Sequence, residues 1–271
     1  MPARPPERIV CLTEETTETL YLLGEERRIV GISGYTVRPA RARKEKPRVS
    51  AFLSAKNDRI LALKPDLVIG FSDLQADILR DLAKAGLNVL VFNQRSVDEI
   101  LSMILTLSSI VGAAERGKAL IEKLEAHLSE IRAAARAFPR RPKVYFEEWD
   151  EPMISGIRWV SELVEVAGGE EIFREKSFSP SASGRVIADP GEVVQRQPEI
   201  IFASWCGKKF RPERLAARPG WNEIPAVKNH CLYEVKSAEI LQPGPAALTD
   251  GVRRIHEIVH AWCSSAGRRA R

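Results

Sequence analysis

One short motif in the sequence could bind a catalytic metal ion, His256-Glu257-Ile258-Val259-His260. On a helix, two imidazoles four residues apart could share a zinc ion while Glu257 activates a water molecule. A catalytic zinc also needs a third protein ligand, and only eleven residues follow His260. Because short motifs also match by chance, we interpret both histidines as partly exposed residues on a helix surface and expect no metal site.

Other motifs of common enzyme classes are absent. The sequence has no GxxxxGK[ST], no GxGxxG after a strand and no GxSxG, which argues against P-loop, dinucleotide-binding and α/β-hydrolase chemistry. The four cysteines lie far apart and form no CxxC pair, which excludes a zinc ribbon. We therefore expect neither catalysis nor a resident cofactor.

Four carboxylates surround Trp149 in the segment 147–151, EEWDE. Such a cluster repels itself unless water solvates it or a cation engages it. Trp159 and Trp205 lie in the same half of the chain, and aromatic walls with a few polar groups are typical of small-molecule clefts. Trp149 is therefore either a ligand contact or a solvated surface residue, whereas we expect Trp159 to pack under its own helix.

The first half of the chain alternates short apolar segments with helical patterns. Apolar strands separated by helices predict a mostly parallel sheet covered on both faces. The predicted strands are residues 8–12, 28–33, 67–70 and 88–92, and the predicted helices are 14–23, 58–63, 74–85 and 97–111.

A long helical pattern follows, from about residue 113 to 137, and at about 1.5 Å per residue it measures roughly 36 Å. The second half then repeats the α/β pattern. The segment RILALKPDLVIG of the first half (residues 59–70) is matched by EVVQRQPEIIFA of the second half (residues 192–203). We predict an α/β protein with lobes at residues 8–112 and 139–265 and a connecting helix at 113–138. A single α/β domain with a long helical insertion is the alternative. The second-half strands are predicted at 143–146, 200–203 and 231–235, and the helices at 158–167, 190–196 and 245–263.

The net charge of +5 is unevenly distributed, since residues 38–48 carry six basic side chains against one acid. We interpret this segment as a solvated basic loop and not as a nucleic-acid-binding face. No run of 18 apolar residues is present, so no membrane span is expected. No apolar signal-peptide core precedes the first strand, so the sequence as given shows no export signal.

Several segments together resemble the periplasmic solute-binding proteins for cobalamin and ferric siderophores, the class III type. They are RIVCLTEETTETLYLLG, RIVGIS, NDRILALKPDLVIG, VSELVEVAGGEEIF and ADPGEVVQRQPEIIFA, and the resemblance extends from about Arg8 to Trp262. It implies two α/β lobes joined by one long helix, with a ligand cleft between them and little lobe motion. It also implies a monomer that binds a corrinoid or a metal chelate for uptake through an ABC permease.

The resemblance and the aromatic pattern together predict the site residues. Ligand contacts are expected at Tyr35, Phe52 and Phe71 in the first lobe, and at Trp149, Arg185, Trp205 and Glu239 in the second. The resemblance further implies one acid per lobe for docking to arginines of the permease, and these acids correspond to Asp58 and Glu192.

Two locations are consistent with these observations. The resemblance implies the periplasm, whereas the missing export signal and four free thiols favour the cytoplasm if the chain is complete. The alternative function is accordingly a cytoplasmic ligand sensor or enzyme that uses the same cleft.

Overall fold

The computed structural model describes residues 4–269, which divide into two compact units. Unit 1 contains residues 4–94 with Asp98–Leu124, and unit 2 contains Arg95–Val97 with residues 125–269. Each unit is built on a five-stranded sheet with helices around it. The predicted α/β architecture with mostly parallel strands is therefore confirmed.

The sheet of unit 1 is entirely parallel, in the order β3-β2-β1-β4-β5. Its central strands β1 and β4 are buried along their whole length, as expected for a sheet covered on both faces. The strands are β1 (Ile9–Cys11), β2 (Ile29–Ser33), β3 (Arg48–Ser50), β4 (Leu67–Phe71) and β5 (Val89–Phe92).

The first four helices of unit 1 return the chain from the carboxyl end of one strand to the amino end of the next, and the fifth follows the last strand. They are α1 (Glu14–Leu22), α2 (Ala42–Glu45), α3 (Asn57–Ala62), α4 (Ala76–Lys84) and α5 (Val97–Ile110). The long helix α6 (Ala114–Ala135) follows, and the division between the two units falls within it, after Leu124.

The basic segment 38–48 is mostly exposed, as the sequence suggested, but it is not a loop throughout. It contains α2 and leads directly into the edge strand β3. Two apolar side chains, Ala42 and Val49, are buried and hold this charged segment against the unit. Two buried residues among so many charges gave no recognisable periodic pattern, so the prediction missed both elements.

The sheet of unit 2 has the order β10-β9-β6-β7, with β8 paired to β6. All these pairings are parallel except β6 with β7, which is antiparallel. The strands are β6 (Lys143–Asp150), β7 (Met153–Ser155), β8 (Glu170–Glu171), β9 (Ile200–Ala203) and β10 (Leu232–Glu234).

Strand β6 is longer than predicted, because the sequence analysis ended it at residue 146 and assigned the acidic segment to a loop. In the structure Glu147–Asp150 continue the strand and pair with β7, with a bulge between Glu147 and Trp149. The pairing supplies backbone hydrogen bonds to a segment whose charged side chains obscured its strand character.

The helices of unit 2 are mostly short, and the last one is the exception. They are α7 (Arg158–Val166), α8 (Arg174–Ser177), α9 (Gly191–Arg196), α10 (Pro212–Ala216), α11 (Pro225–Lys228), α12 (Ser237–Ile240) and α13 (Val252–Arg269). A π-helical turn at Ala247–Gly251 leads into α13, where a continuous helix was predicted. No helix in the described part of the chain is long and apolar enough to cross a membrane.

The packing of α5 against α6 generates the first prediction. A side chain added at Gly117 would overlap the fully buried Ser108. Helix propensity alone favours Gly117→Ala by about 1 kcal/mol, whereas overpacking costs about 1–3 kcal/mol. We expect the cost of the overlap to exceed the gain in helix propensity, so that urea unfolding shows a net loss of stability. The double variant Ser108→Gly with Gly117→Ala should recover most of it; a stabilised single variant would contradict this packing.

Candidate functional site

Parallel pairing brings the predicted aromatic residues of unit 1 to one edge of its sheet. Tyr35, Phe52 and Phe71 follow or end the strands β2, β3 and β4, whose carboxyl ends share that edge. The ring of Tyr35 is exposed, Phe52 is half-buried and Phe71 is buried. In open parallel sheets ligands bind at this carboxyl edge, so Tyr35 and Phe52 are the aromatic residues available there.

Gln75 fixes the backbone of this edge, and the sequence analysis did not identify it. Its buried amide nitrogen donates to the carbonyl oxygens of Leu12 at 3.3 Å and of Phe52 at 2.9 Å. Its amide oxygen accepts from the backbone N–H of Phe71 at 2.9 Å. One side chain thus ties together the segments after β1 and β3 and the end of β4, and thereby positions Phe52.

Two leucines enlarge the apolar surface next to the aromatic residues. Leu53 directly follows Phe52 and is 67% exposed, and Leu74, shortly after β4, is 56% exposed. With Tyr35, which is 54% exposed, and Phe52 they form what we call the apolar rim. Nothing in the sequence indicates that Leu53 and Leu74 are exposed, so only the structure identifies them as part of this surface.

Two carboxylates are buried behind this edge, at the start of α1. Glu15 is 1% exposed and accepts a 2.6 Å hydrogen bond from the hydroxyl of Thr13, while Glu14 accepts a long one, 3.4 Å, from the backbone N–H of Val37. Burial raises the pKa of each carboxyl to about 7. Unit 1 therefore holds two acids at this edge that are easily neutralised.

In unit 2, cations of the protein itself engage three of the acids around Trp149, namely Glu147, Glu148 and Asp150. Glu147 is fully buried and forms a bidentate pair with Arg218, at 2.5 and 3.0 Å. The hydroxyl of Tyr145 and the indole N–H of Trp205 also donate to it, at 3.1 and 3.0 Å. Burial raises the pKa of Glu147, and these hydrogen bonds oppose that rise. No sequence signal connects Arg218 to Glu147, since 71 residues separate them.

Arg185 makes the equivalent contact with Glu148. Its guanidinium is 3% exposed, lies 2.5 Å from one carboxylate oxygen and donates to the carbonyl oxygen of Ser155 at 2.6 Å. A second nitrogen reaches the other oxygen of Glu148 at 3.1 Å. Glu148 in turn accepts from the backbone N–H of Ile157, so Arg185 fixes the geometry of the strand end.

The indole of Trp149 is half-buried and held from two sides. Its N–H donates to the carbonyl oxygen of Glu151 at 2.9 Å, and the ammonium of Lys208 lies 4.0 Å from the ring centroid. Lys208 also pairs with Asp150 at 2.7 Å. A cation–π contact and a fixed indole N–H restrict the rotation of the ring while leaving part of it accessible.

The remaining second-half candidates differ in accessibility. Trp205 is buried and packs edge-on against Phe210 at 5.2 Å, while Glu239 in α12 is half-buried. Trp159 lies under its helix as expected, since it is 3% exposed and donates to the carbonyl oxygen of Ile240.

The two acids expected to dock a permease lie in the first turns of short helices. Asp58 in α3 is exposed. Glu192 in α9 is partly exposed and lies 3.8 Å from Arg196, one helical turn along.

The HExxH histidines lie on the surface of α13, as the sequence predicted. His256 contacts the carbonyl oxygen of Ala167 at 3.1 Å, and the ring of Phe138 stacks on His256 and makes a tilted contact with His260. Among the residues that the structure describes, no group of three or more His, Cys, Asp or Glu side chains could hold a metal ion.

Comparison with known proteins gives a consistent result. A family model described as "Periplasmic binding protein" matches residues 9–239. The chain is 24% identical over 266 residues to an uncharacterized ABC transporter substrate-binding lipoprotein of Bacillus subtilis, covering 95% of this chain and 81% of that protein. It is 26% identical over 252 residues to the vitamin B12-binding protein of Vibrio parahaemolyticus, covering 92% and 88%.

A solved structure extends the comparison to the fold. A possible iron-binding periplasmic solute-binding protein of Staphylococcus epidermidis superposes with a TM-score of 0.81 at 20% identity, over 94% of this chain and 99% of that one. The α/β architecture derived above is thus the architecture of a solved solute-binding protein.

The buried acids at the start of α1 generate the second prediction. Each binds a proton more tightly in the folded than in the unfolded state, so the free energy of unfolding falls as pH rises from about 4.5 to about 7. In the double variant Glu14→Gln with Glu15→Gln, the free energy of unfolding should no longer fall over this pH range. The fall that is lost amounts to up to about 3 kcal/mol for each carboxyl.

Urea unfolding at pH 5 and pH 8 measures the effect. The control is Glu130→Gln, which changes an exposed carboxyl of α6 and should leave the wild-type pH dependence intact. Equal pH dependence in the double variant and the wild type would show that the two acids are ionised in the folded protein.

Proposed function

This chain belongs to the periplasmic binding protein family, and we propose that it binds a corrinoid or an iron chelate non-covalently for uptake through an ABC transporter. The single observation that carries the choice of ligand class is the apolar rim at the carboxyl edge of unit 1. Corrinoids and metal chelates with large organic ligands present wide apolar faces, which such a surface can cover. The names of two related proteins, a vitamin B12-binding protein and a possible iron-binding protein, support the same class.

The exposure of the apolar rim is costly unless a ligand covers it. Tyr35, Leu53 and Leu74 are each more than half exposed, although burial of such side chains stabilises a protein by about 1.5–3 kcal/mol each. Exposed apolar side chains grouped at one site, unlike single ones, mark a binding surface. Because Gln75 fixes the backbone beside Phe52, the rim needs little ordering when a ligand arrives.

Unit 2 contributes a second set of groups under this proposal. Trp149 supplies an aromatic surface held in one orientation, and Lys208 and Glu239 supply charges that select among ligands. Arg185 and Trp205 are buried and bonded to Glu148 and Glu147, so they position the ligand-binding segment without contacting the ligand directly.

Non-covalent binding requires no catalytic group, and the family is one of binding proteins and not of enzymes. The family is described as periplasmic, and we propose that this protein works in the periplasm together with a membrane permease. Asp58 and Glu192, one in each unit, are the proposed contacts with arginines of that permease.

The third prediction tests the ligand class. A ligand that binds only the folded protein adds about 2.7 kcal/mol of stability at a hundredfold excess over Kd, so the melting temperature should rise by several degrees. Cyanocobalamin, hemin and ferrichrome, tested separately by thermal shift and calorimetry, are the probes. If none of them binds, the proposed ligand class is wrong.

Tyr35→Ala tests the location of the same site. Loss of an aromatic anchor should weaken binding about thirtyfold, or about 2 kcal/mol. The melting temperature of the ligand-free protein should change little, because Tyr35 is exposed. Leu22→Ala is the matched control, since Leu22 is equally exposed but ends α1, away from the carboxyl edge. Equal affinities of the two variants would place the ligand elsewhere.

The fourth prediction concerns docking. The double variant Asp58→Lys with Glu192→Lys should bind ligand normally but fail to stimulate ATP hydrolysis by its ABC transporter in nanodiscs, because like charges then face the permease arginines. The control, Glu122→Lys with Glu130→Lys, reverses one exposed acid in each unit. Stimulation by the docking variant at the wild-type level would exclude these two acids as contacts.

A further inference from the structure

A groove of about 510 Å³ opens on unit 1 at the end opposite to the apolar rim. It is bordered by the segment that enters β3 and by the end of α3, both of which lie at the amino edge of the parallel sheet. Its lining consists of four basic and four apolar residues: Arg43, Lys46, Arg48 and Arg59, and Pro47, Val49, Ala62 and Leu63. None of the described residues that line it is acidic. We call it the basic groove.

The cations of the basic groove differ from the other basic residues of the same segment. Arg38 and Arg41 are paired, with Glu18 at 2.9 Å and Glu26 at 3.1 Å. In the part of the chain that the structure describes, Arg43, Lys46, Arg48 and Arg59 make no ion pair. Four positive charges that line one groove without an ion-pair partner favour the binding of an anion there.

The acids nearest to the groove are already engaged. Glu45, which precedes Lys46, accepts a 2.7 Å hydrogen bond from the hydroxyl of Tyr21, and Glu26 is bonded to Arg41. Burial lowers the pKa of Lys46, which indicates that water solvates this ammonium poorly. A bound anion would stabilise the ammonium of Lys46, which water solvates poorly.

The backbone around the groove does not oppose an anion either. Carbonyl groups at the carboxyl end of a helix carry partial negative charge. Here the carbonyl oxygens of Leu63 and Lys64, which follow α3, accept hydrogen bonds from the guanidinium of Arg8 at 2.6–3.1 Å.

We propose that the basic groove is a second binding site, specific for phosphate-type oxyanions, and independent of the ligand site at the carboxyl edge. Arginine guanidinium groups bind phosphate oxygens bidentately, and Arg43, Arg48 and Arg59 surround the space from three segments of the chain. The phosphate can come from a free polyanion or from the headgroup of an anionic lipid, since both present the same chemistry to the groove.

Calorimetric titration with pyrophosphate in 25 mM salt tests the fifth prediction. The double variant Arg48→Gln with Arg59→Gln should weaken binding at least tenfold. The matched control, Lys44→Gln with Lys84→Gln, removes the same charge from unit 1 outside the groove and should change affinity less than twofold. Arg48 and Arg59 are exposed, so the variant should fold normally, which its melting temperature verifies.

Sedimentation with vesicles distinguishes the two phosphate sources. Binding to vesicles of 30% phosphatidylglycerol in phosphatidylcholine, reversed by pyrophosphate and lost in the groove variant, identifies a lipid headgroup. Binding of pyrophosphate without vesicle binding identifies a free anion. No binding of either probe by the wild type, or an equal loss in the groove and control variants, would overturn the proposal. Neither result depends on cobalamin or iron-chelate binding, so the two proposals fail separately.

Discussion

Parallel strand pairing is the constraint on which the rest of this structure depends. In unit 1, five parallel strands bring every segment that follows a strand to one edge, including those that carry Tyr35, Phe52 and Phe71. The central strands of the sheet are buried, so its two edges remain for polar and functional groups. The carboxyl edge carries the apolar rim, and the amino edge carries the basic groove. A ligand and an anion are thus proposed for opposite ends of the same sheet.

The two units differ in how the buried acids at the carboxyl edge are stabilised. In unit 2, Glu147, Glu148 and Asp150 are each paired with a cation, and Glu147 accepts four hydrogen bonds. Breaking such a pair is costly, since the remaining charge is left buried. In unit 1, no cation among the described residues contacts Glu14 or Glu15 directly, and burial raises the pKa values of both. Unit 2 therefore holds its edge by fixed ion pairs, whereas the charge of unit 1 responds to pH.

Rigidity of the edge follows from a few long-range contacts. Gln75 joins three strand ends in unit 1, and Arg185 and Arg218 fix the end of β6 in unit 2. Each of these side chains is partly or fully buried and none needs to touch a ligand. They set the positions of Phe52 and Trp149, which keep accessible ring surface. Preorganisation of this kind lowers the entropic cost of binding without adding contacts.

The sequence by itself determined the α/β class, most strands and helices, and the family, because apolar periodicity and chain order are local properties. It also indicated that Tyr35, Phe52 and Phe71 follow neighbouring strands. Only the tertiary structure decided which candidates are accessible: Arg185 and Trp205 are buried against Glu148 and Glu147.

The same holds for the acids around Trp149, which sequence analysis assigned to a loop. Their cations come from residues up to 71 positions away, and β7 completes the strand that carries them. Exposure, charge pairing and the basic groove all arise from contacts between distant segments. Such contacts form only when the chain folds, so local sequence patterns do not reveal which site residues are accessible.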